Sequence, residues 1–149
     1  MNQEGVIVDD DGGFFVGRVT VLSEEECLAL LASQVIGRIV FVDADGQPMA
    51  LPVNYVLHER AVAFRSDPGS KLTGATRNAV AFEIDGIDPL YHEGWSVVVK
   101  GIGEDITDAR DPWNQKVRAE ALGPWAAGER SHWMVITNPS FSGRRIRNG

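Results

Sequence analysis

The chain has 149 residues, of which 44% are hydrophobic and 23% are charged. This composition excludes a collagen-like, low-complexity or wholly disordered protein, and no apolar run is long enough to span a membrane as a helix. Lys and Arg number 14 against 21 Asp and Glu, a net charge of −7 that argues against general nucleic-acid binding. No secretory signal is visible at the N-terminus, and Cys27 is the single cysteine. We therefore expect a cytoplasmic protein with no disulfide and no multi-cysteine metal site.

An acidic segment precedes a well-marked helix at the N-terminal end. Residues 1–13 carry three consecutive aspartates followed by two glycines. They predict a flexible acidic tail, which leaves residues 14–149 as one domain. Residues 14–21 are compatible with a short strand or with an ordered lead-in. Ser23 and Glu26 have the spacing of a capping box and predict a helix that begins there.

The same helix carries the cysteine. Leu22 precedes the cap and Cys27 occupies the fourth helical position, which are the two positions of a hydrophobic staple. Leu28, Leu31 and Ala32 continue an apolar face at helical spacing. Cys27 is therefore interpreted as a small core residue, because free cysteines are commonly buried.

From residue 36 onward the pattern is that of strands joined by short connections. Asp45-Gly46 between two apolar runs indicates a hairpin, and Gly101 and Gly103 within an alternating run indicate a bulge or a bend. An Asp-Pro pair predicts a second helix over residues 111–122. The predicted strands span residues 36–42, 47–57, 61–66, 79–87, 95–107, 131–140 and 141–146. Such patterns form sandwiches or barrels, so we expect a mainly β fold with short helices.

The stretch 64–77 is net positive in a net negative chain. Arg65 and Ser66 end a predicted strand, and Ser70 caps a short predicted helix that begins with Lys71. The free N–H groups and the dipole of a helix start favour an anion. Two cations and two hydroxyls beside them suit a phosphate, because charge-assisted hydrogen bonds are the stronger ones. The alternative is a helix cap with solvated charges, and the Walker pattern of phosphate loops is absent.

A proline marks the second candidate feature. Pro52 lies within the apolar run 51–55 and has no backbone N–H, so it predicts an edge strand or a bulge. An open strand edge offers backbone N–H and C=O groups that could pair with a planar heterocycle. The alternative is an edge strand that binds nothing.

The four tryptophans lie late in the chain, at positions 95, 113, 125 and 133. Trp125 shares a predicted loop with Arg130, a combination that covers a planar ligand or fills a subunit interface. Core packing is the alternative, and it is the role expected of Trp113.

Other chemistry has little support in the sequence. His58, His92 and His132 are far apart and lack paired metal-ligand spacing, so no metal site is predicted. The spacing does not exclude a Ser-His-Asp set, but the G-x-S-x-G turn is absent. No catalytic acid or base is identified, and the C-terminal Arg144, Arg145 and Arg147 have no assigned role.

These motifs together resemble the FMN-binding split-barrel family of pyridoxamine 5′-phosphate oxidase-like proteins, in an actinobacterial flavin-nucleotide-binding branch related to nitroimidazole-resistance proteins. The resemblance runs from Leu22 to about Ile146. It rests on LSEEECLALL, IGRIVFV, LPVNYVL, FRSDPGSKL, GWSVVVKG and PWAAGERSHW in this order. It implies a six-stranded split β-barrel that forms a homodimer, with two FMN sites between the subunits.

The resemblance also implies site residues. The FMN phosphate is assigned to Arg65, Ser66, Ser70 and Lys71, and the isoalloxazine edge to Pro52, Val53 and Asn54. The segment 94–97 with Trp95 and Ser96 is assigned to the neighbouring subunit's contribution, together with Trp125 and Trp133, and Arg130 is an additional contact.

Two departures from the family narrow the activity. Ser70 stands where the nitroimidazole-resistance branch often carries a histidine before the phosphate lysine. The C-terminal SGRRIRNG lacks the late Arg-x-His motif of true pyridoxamine phosphate oxidases. The resemblance then implies a flavin-dependent oxidoreductase acting on an unidentified small molecule. A non-catalytic flavin carrier and an F420-dependent reductase are the alternatives, and no nucleic-acid or membrane partner is expected.

Overall fold

The computed structural model describes residues 2–8, 14–66, 75–108, 110–120 and 132–148. The strands in these ranges are β1 (Asn2–Val8), β2 (Phe14–Val21), β3 (Ile36–Val42), β4 (Pro48–His58), β5 (Ala61–Ser66), β6 (Ala79–Asp88), β7 (Glu93–Asp105) and β8 (His132–Asn148). The helices are α1 (Glu24–Ser33) and α2 (Pro112–Glu120). Within the same ranges, no helix has both the length and the apolar character needed to cross a membrane.

Six of the strands close into an antiparallel barrel. Around the barrel they follow the order β8-β5-β4-β3-β6-β7, and the pairing of β7 with β8 closes the ring. β2 pairs with the C-terminal end of β8, and β1 pairs with β2, so these two strands extend the sheet outside the ring. The predicted mainly β fold with a six-stranded split barrel is confirmed.

The N-terminal segment differs from the flexible tail predicted for residues 1–13. Asn2–Val8 forms β1 and pairs with Phe14–Val21 from end to end, which also makes the latter segment a strand and not a lead-in. The aspartates dominate the composition of this segment, but they follow a Val-Ile-Val run whose β-branched side chains favour a strand. Residues 9–13 lie outside the described ranges.

Helix α1 begins as the sequence predicts. Ser23 Oγ accepts a hydrogen bond from Glu26 N at 3.1 Å, and Ser23 N donates to the Glu26 carboxylate at 3.3 Å, which completes the capping box. Leu22 and Cys27 are both buried against Gly143 of β8. Leu22 N donates to Gly143 O at 2.9 Å, so the start of the helix is anchored to the barrel.

The buried apolar side chains form two clusters on opposite sides of β5 and β8. The barrel core lies inside the ring and includes Phe64, Phe82 and Met134. The second cluster, called here the α2 cluster, lies between the barrel wall and α2. Its buried members are Ala63, Ile106, Val117, Trp133 and Val135, with Trp113 packed against them. The predicted packing role of Trp113 is therefore confirmed.

β8 is one continuous strand of 17 residues, whereas the sequence predicts two strands over 131–140 and 141–146. The pairing of β7 with β8 shifts register between Lys100 and Ile102, so an irregularity accommodates the Asn-Pro pair without ending the strand. A Cβ on Gly101 would lie only 2.4 Å from Thr137 O. The register shift confirms the irregularity predicted at Gly101, where the two backbones approach too closely for a side chain.

Candidate functional site

Arg65 and Trp133 face each other on the outer side of the barrel wall. They are direct partners in the pairing of β5 with β8, and the Arg65 guanidinium carbon lies 5.1 Å from the Trp133 ring centre. This geometry is a cation–π contact, which helps to fix the direction of the long arginine side chain. The tryptophan itself is 4% exposed and belongs to the α2 cluster of its own chain.

Ser66 faces the inside of the barrel, not the side of Arg65. Side chains alternate along a strand, and Ser66 and His132 lie two residues from Phe64 and Met134, which are both in the barrel core. Ser66 is 6% exposed, and its Oγ has no hydrogen-bond partner in the described part of the chain. Buried hydroxyls normally have a partner. The predicted pair Arg65 and Ser66 can therefore contact one group only at the very end of β5.

The same end of the barrel carries a group of polar side chains that we call the mouth cluster. It consists of the hydrogen-bonded Asp105, Thr107 and His132, with Ser66 beside His132. His132 is the direct partner of Ser66 across the strands, and its Nδ1 lies 3.1 Å from Asp105 Oδ2. Thr107 donates to Asp105 Oδ1 through its hydroxyl and, at 2.9 Å, through its backbone N. Trp133 N in turn donates to Thr107 Oγ1 at 3.0 Å. Three strand ends are thereby tied together at one place.

The environment of Asp105 stabilises its charge. Partial burial acts to raise its pKa, but the hydrogen bonds from Thr107 and His132 outweigh burial and hold the pKa below its ordinary value. The carboxylate is therefore ionised at neutral pH, and both of its oxygens accept hydrogen bonds within the cluster, Oδ1 from Thr107 and Oδ2 from His132.

Among the described residues, no strand pairs with the outer side of the N-terminal half of β4, as Pro52 predicts for an edge strand; we call this side the open edge of β4. Tyr55 N donates to Val35 O at 3.1 Å, and hydrogen-bonded pairs alternate along an antiparallel ladder. The backbone groups of Ala50 and Pro52 therefore face away from β3, and the pairing of β4 with β5 begins only at Tyr55. Pro52 and Asn54 are exposed on this edge, while Val53 packs against the barrel core.

Trp95 and Ser96 lie far from this edge within one chain. They belong to β7, which lies on the opposite side of the ring from β4. Trp95 pairs with Arg145, twelve positions beyond Trp133, or roughly 40 Å along β8 at about 3.3 Å per residue. Trp95 packs over Gly86 and lines an open groove of about 360 Å³, together with Asp88, Glu93, Arg145 and Arg147 among others.

The remaining predicted site residues are Ser70, Lys71, Trp125 and Arg130, and they lie outside the described residues. The helix predicted from Ser70 also falls largely outside them. The structure thus brings Arg65, Ser66 and Trp133 to the end of β5, next to the open edge of β4. The resemblance assigns Trp133 to a neighbouring subunit's contribution, whereas the structure buries it in its own chain beside Arg65.

Sequence reasoning missed Asp105 and His132. They are 27 positions apart. Asp105 stands in no motif, and the stretch PWAAGERSHW that contains His132 carries no assigned role for this histidine, so only the closure of β7 onto β8 brings the two together. The available signal was that each residue stands within two positions of the end of a predicted strand, at 95–107 and at 131–140. Across the described ranges, no group of three or more His, Cys, Asp or Glu side chains is placed to hold a metal ion.

A closed six-stranded antiparallel barrel with the strand order β8-β5-β4-β3-β6-β7 defines the class of split-barrel proteins. The family model described as pyridoxamine 5′-phosphate oxidase matches residues 23–145, so the chain belongs to this family. The match covers both the barrel and the candidate site.

Relatives agree with this assignment. The chain is 35% identical over 134 residues to "Uncharacterized protein Rv0080" of Mycobacterium tuberculosis, with 86% of each chain covered. It is 35% identical to a solved FAD-binding protein of Mycobacterium smegmatis, with a TM-score of 0.72, covering 86% of this chain and all of that one. A solved FAD-binding protein of Mesorhizobium loti is 25% identical, with a TM-score of 0.66 and coverage of 85% and 97%.

Proposed function

We propose that this protein binds a flavin nucleotide through the phosphate of its FMN half and uses the flavin in a redox reaction on a small molecule. The observation that carries the proposal is the end of β5. There, Arg65 is held against Trp133, and the buried Ser66 hydroxyl has no partner among the described residues. The related proteins described as FAD-binding support a flavin over other phosphorylated ligands.

The phosphate is proposed to lie at the end of β5, in line with the strand. Only this position is within reach of Arg65 on one face and Ser66 on the other. Ser70 and Lys71 follow a few positions later in the sequence and are proposed to complete the phosphate site. An arginine that is oriented before the ligand arrives loses less side-chain freedom on binding, so its charge-assisted bond contributes more to affinity.

The flavin ring is proposed to lie along the open edge of β4. The backbone groups of Ala50 and Pro52 face outward there, and they are suited to the polar edge of an isoalloxazine. Pro52 at this point costs the barrel no hydrogen bond, because its missing N–H would face away from β3. Val53 and Asn54 continue the edge toward the phosphate end.

A second copy of the chain is proposed to cover the ring. Trp95 and Ser96 lie on the opposite wall of the barrel from β4, so they reach a ligand on β4 only from another subunit. Trp125 and Arg130 are proposed to come from the same partner. The outer face of β3 supports such an interface, because Ile36, Val40 and Val42 are 37–55% exposed there and exposed apolar patches mark interaction sites.

The redox role follows from the chemistry of the cofactor, since a bound flavin supplies hydride and electron transfer while the protein provides position and polarity. A flavin-dependent oxidoreductase is the function proposed. Turnover of NAD(P)H with an electron acceptor separates it from a flavin carrier, and the absorption spectrum of copurifying ligand separates a flavin from F420.

The decisive experiment compares FMN with riboflavin, which lacks the phosphate. We expect Lys71→Ala to weaken FMN binding about tenfold or more and to leave riboflavin affinity nearly unchanged, because a charge-assisted contact contributes about 1.5–3 kcal/mol. Lys100→Ala, an exposed lysine on β7, serves as the matched control. Equal loss of both ligands would place the phosphate elsewhere. Mixing Arg65→Ala protein with Trp95→Ala protein tests the shared site, because a heterodimer regains one intact site.

A further inference from the structure

We infer that His132 is a ligand-binding residue that forms an oxyanion-binding pair with Ser66 at the end of the barrel, and that Asp105 positions its ring. The inference rests on the proposed function in one respect, namely that the oxyanion is the phosphate of the flavin nucleotide. His132 and Asp105 belong to none of the motifs that led to the phosphate site.

The backbone places the two ligand-binding side chains next to each other. Trp133 N and O both bond toward the β7 side, to Thr107 and Ile106. By alternation, the neighbouring pair of Ser66 and His132 is a hydrogen-bonded pair of the β5–β8 ladder. Cross-strand partners of this kind have Cβ atoms about 5 Å apart on the same face of the sheet. A single ligand oxygen between them is within reach of both.

The partners of the two side chains leave their donors available for a ligand. His132 uses Nδ1 toward Asp105 at 3.1 Å, so its Nε2 is the atom left to face a ligand; Nε2 has no partner among the described residues. Ser66 Oγ is likewise without a partner there, although Ser66 is 94% buried. Leaving a buried hydroxyl unsatisfied is costly. An oxyanion that accepts from Oγ and from Nε2 satisfies both.

Charge favours an anion at this place. An imidazole whose Nδ1 donates to a carboxylate can donate from Nε2 only when it carries both ring protons, and it is then a cation that attracts an anion. Because Nδ1 faces Asp105 and Nε2 would face the ligand, a protonated ring lies between the two negative groups and offsets their repulsion. Among the described residues, Asp105 on β7 is the charged group in contact with the imidazole, and Ser66 on β5, the cross-strand partner of His132, is neutral. Arg65 and Glu104 lie on the opposite faces of their strands.

The first test measures dissociation constants of FMN and riboflavin between about pH 5.5 and pH 8.5, the range in which imidazoles change charge. His132→Asn keeps an N–H donor for Asp105 but removes Nε2, and His132→Gln keeps the reach of Nε2 without its charge. The matched control is His92→Asn, an exposed histidine on the β6–β7 turn. The phosphate itself titrates near pH 6, but this effect cancels when variant and wild type are compared at each pH.

We expect His132→Asn to weaken FMN binding about tenfold or more near pH 6 and progressively less toward pH 8.5, with riboflavin changed less than about twofold. His132→Gln should show a smaller loss with the same pH dependence, because it keeps a neutral donor. His92→Asn should match the wild type. An equal loss of FMN and riboflavin, or no loss of FMN at any pH, overturns the inference while the proposed function stands.

The second test needs no variant to fold and no flavin. The chain has three histidines, whose ring protons can be followed by NMR as pH is changed, with and without inorganic phosphate. We expect phosphate to raise the pH at which the His132 signal titrates and to leave the His92 signal unchanged. Failure of wild-type protein to bind any flavin, together with this shift, rejects the proposed function and keeps the oxyanion pair. Absence of the shift overturns the pair.

Discussion

The guanidinium of Arg65 lies over the ring of Trp133, its direct partner across two strands, at 5.1 Å from the ring centre. The tryptophan is buried by α2, so the arginine is supported by a rigid surface on one side. This contact holds the guanidinium in one orientation. A fixed orientation favours recognition of a phosphate at the end of the strand.

Replacing Arg65 by lysine tests this support. Arg65→Lys keeps the positive charge but loses the planar group that stacks on Trp133, so we expect FMN affinity to fall about fivefold or more. The measurement is titration with FMN, with riboflavin as the ligand that lacks the phosphate. Arg60→Lys is the matched control, because Arg60 also lies over an aromatic ring, that of Phe141, at 5.4 Å. If the two substitutions weaken FMN alike, the stacked arginine at the end of β5 has no special role.

The position of Trp133 predicts a fluorescence signal. A ligand at the end of β5 lies close to Trp133, whereas Trp113 contacts His58, which is paired with Ala61 at the opposite end of β5. We expect bound FMN to quench tryptophan emission, and Trp133→Phe to remove a larger part of the quenchable signal than Trp113→Phe. The measurement is emission during FMN titration of both variants. A quenching signal lost with Trp113 and kept without Trp133 would move the ligand to another part of the chain.

Local signals in the sequence predicted local structure well. The Ser23–Glu26 capping box, the Asp45-Gly46 turn and the edge position of Pro52 each follow from a few adjacent residues, and each is present. β1 was missed because the following aspartates outweighed a short β-branched run. The continuity of β8 was missed because its Asn-Pro pair is tolerated through an irregularity in its pairing with β7, which no local pattern records.

The candidate site divides in the same way. Arg65 and Ser66 were predicted from neighbouring residues, and the structure places them at one strand end but on opposite faces. His132 and Asp105 meet only through the pairing of β7 with β8, so their contact depends on the register of strands that are distant in sequence. The register of the strands is set by the packing of the whole barrel. Contacts that depend on this register could therefore not be predicted from local patterns in the sequence.

Gly101 is predicted to stabilise the closure of the barrel, because β7 and β8 approach too closely there for a side chain. A Cβ at this position would meet Thr137 O at 2.4 Å and the Ile136 side chain at 2.5 Å. We therefore expect Gly101→Ala to lower the free energy of unfolding by about 1–3 kcal/mol, which lowers the melting temperature by several degrees for a domain of this size. The melting temperatures of the variant and the wild type, measured by thermal unfolding, check this prediction. Gly46→Asn is the control, because Gly46 has φ 78 and open space around it, and asparagine tolerates such a turn. Equal stability of the Gly101→Ala variant would show that β8 shifts at little cost.

Tyr55 links the barrel to the end of α1, and its loss has two measurable effects. Its hydroxyl donates to Leu31 O at 2.5 Å, one of the last-turn carbonyls that a helix cannot satisfy itself. Tyr55→Phe leaves that buried acceptor without its partner, so we expect a loss of about 1–3 kcal/mol in the free energy of unfolding.

The second effect of Tyr55 is on alkaline stability. Burial raises the pKa of Tyr55 to about 12 from an ordinary value of 10.0. The unfolded chain therefore releases this proton first, and the contribution of Tyr55 is fully present below pH 10 and is lost as pH rises from about 10 to about 12. Urea unfolding at several pH values should show a steeper alkaline decline in the free energy of unfolding for the wild type than for Tyr55→Phe.

Tyr91→Phe is the matched control, since Tyr91 is 59% exposed and is the other of the two tyrosines. It should keep both the neutral stability and the alkaline decline of the wild type. A Tyr55→Phe protein whose stability falls as steeply as that of the wild type over this range would show that the buried hydroxyl is not what makes the fold sensitive to alkali.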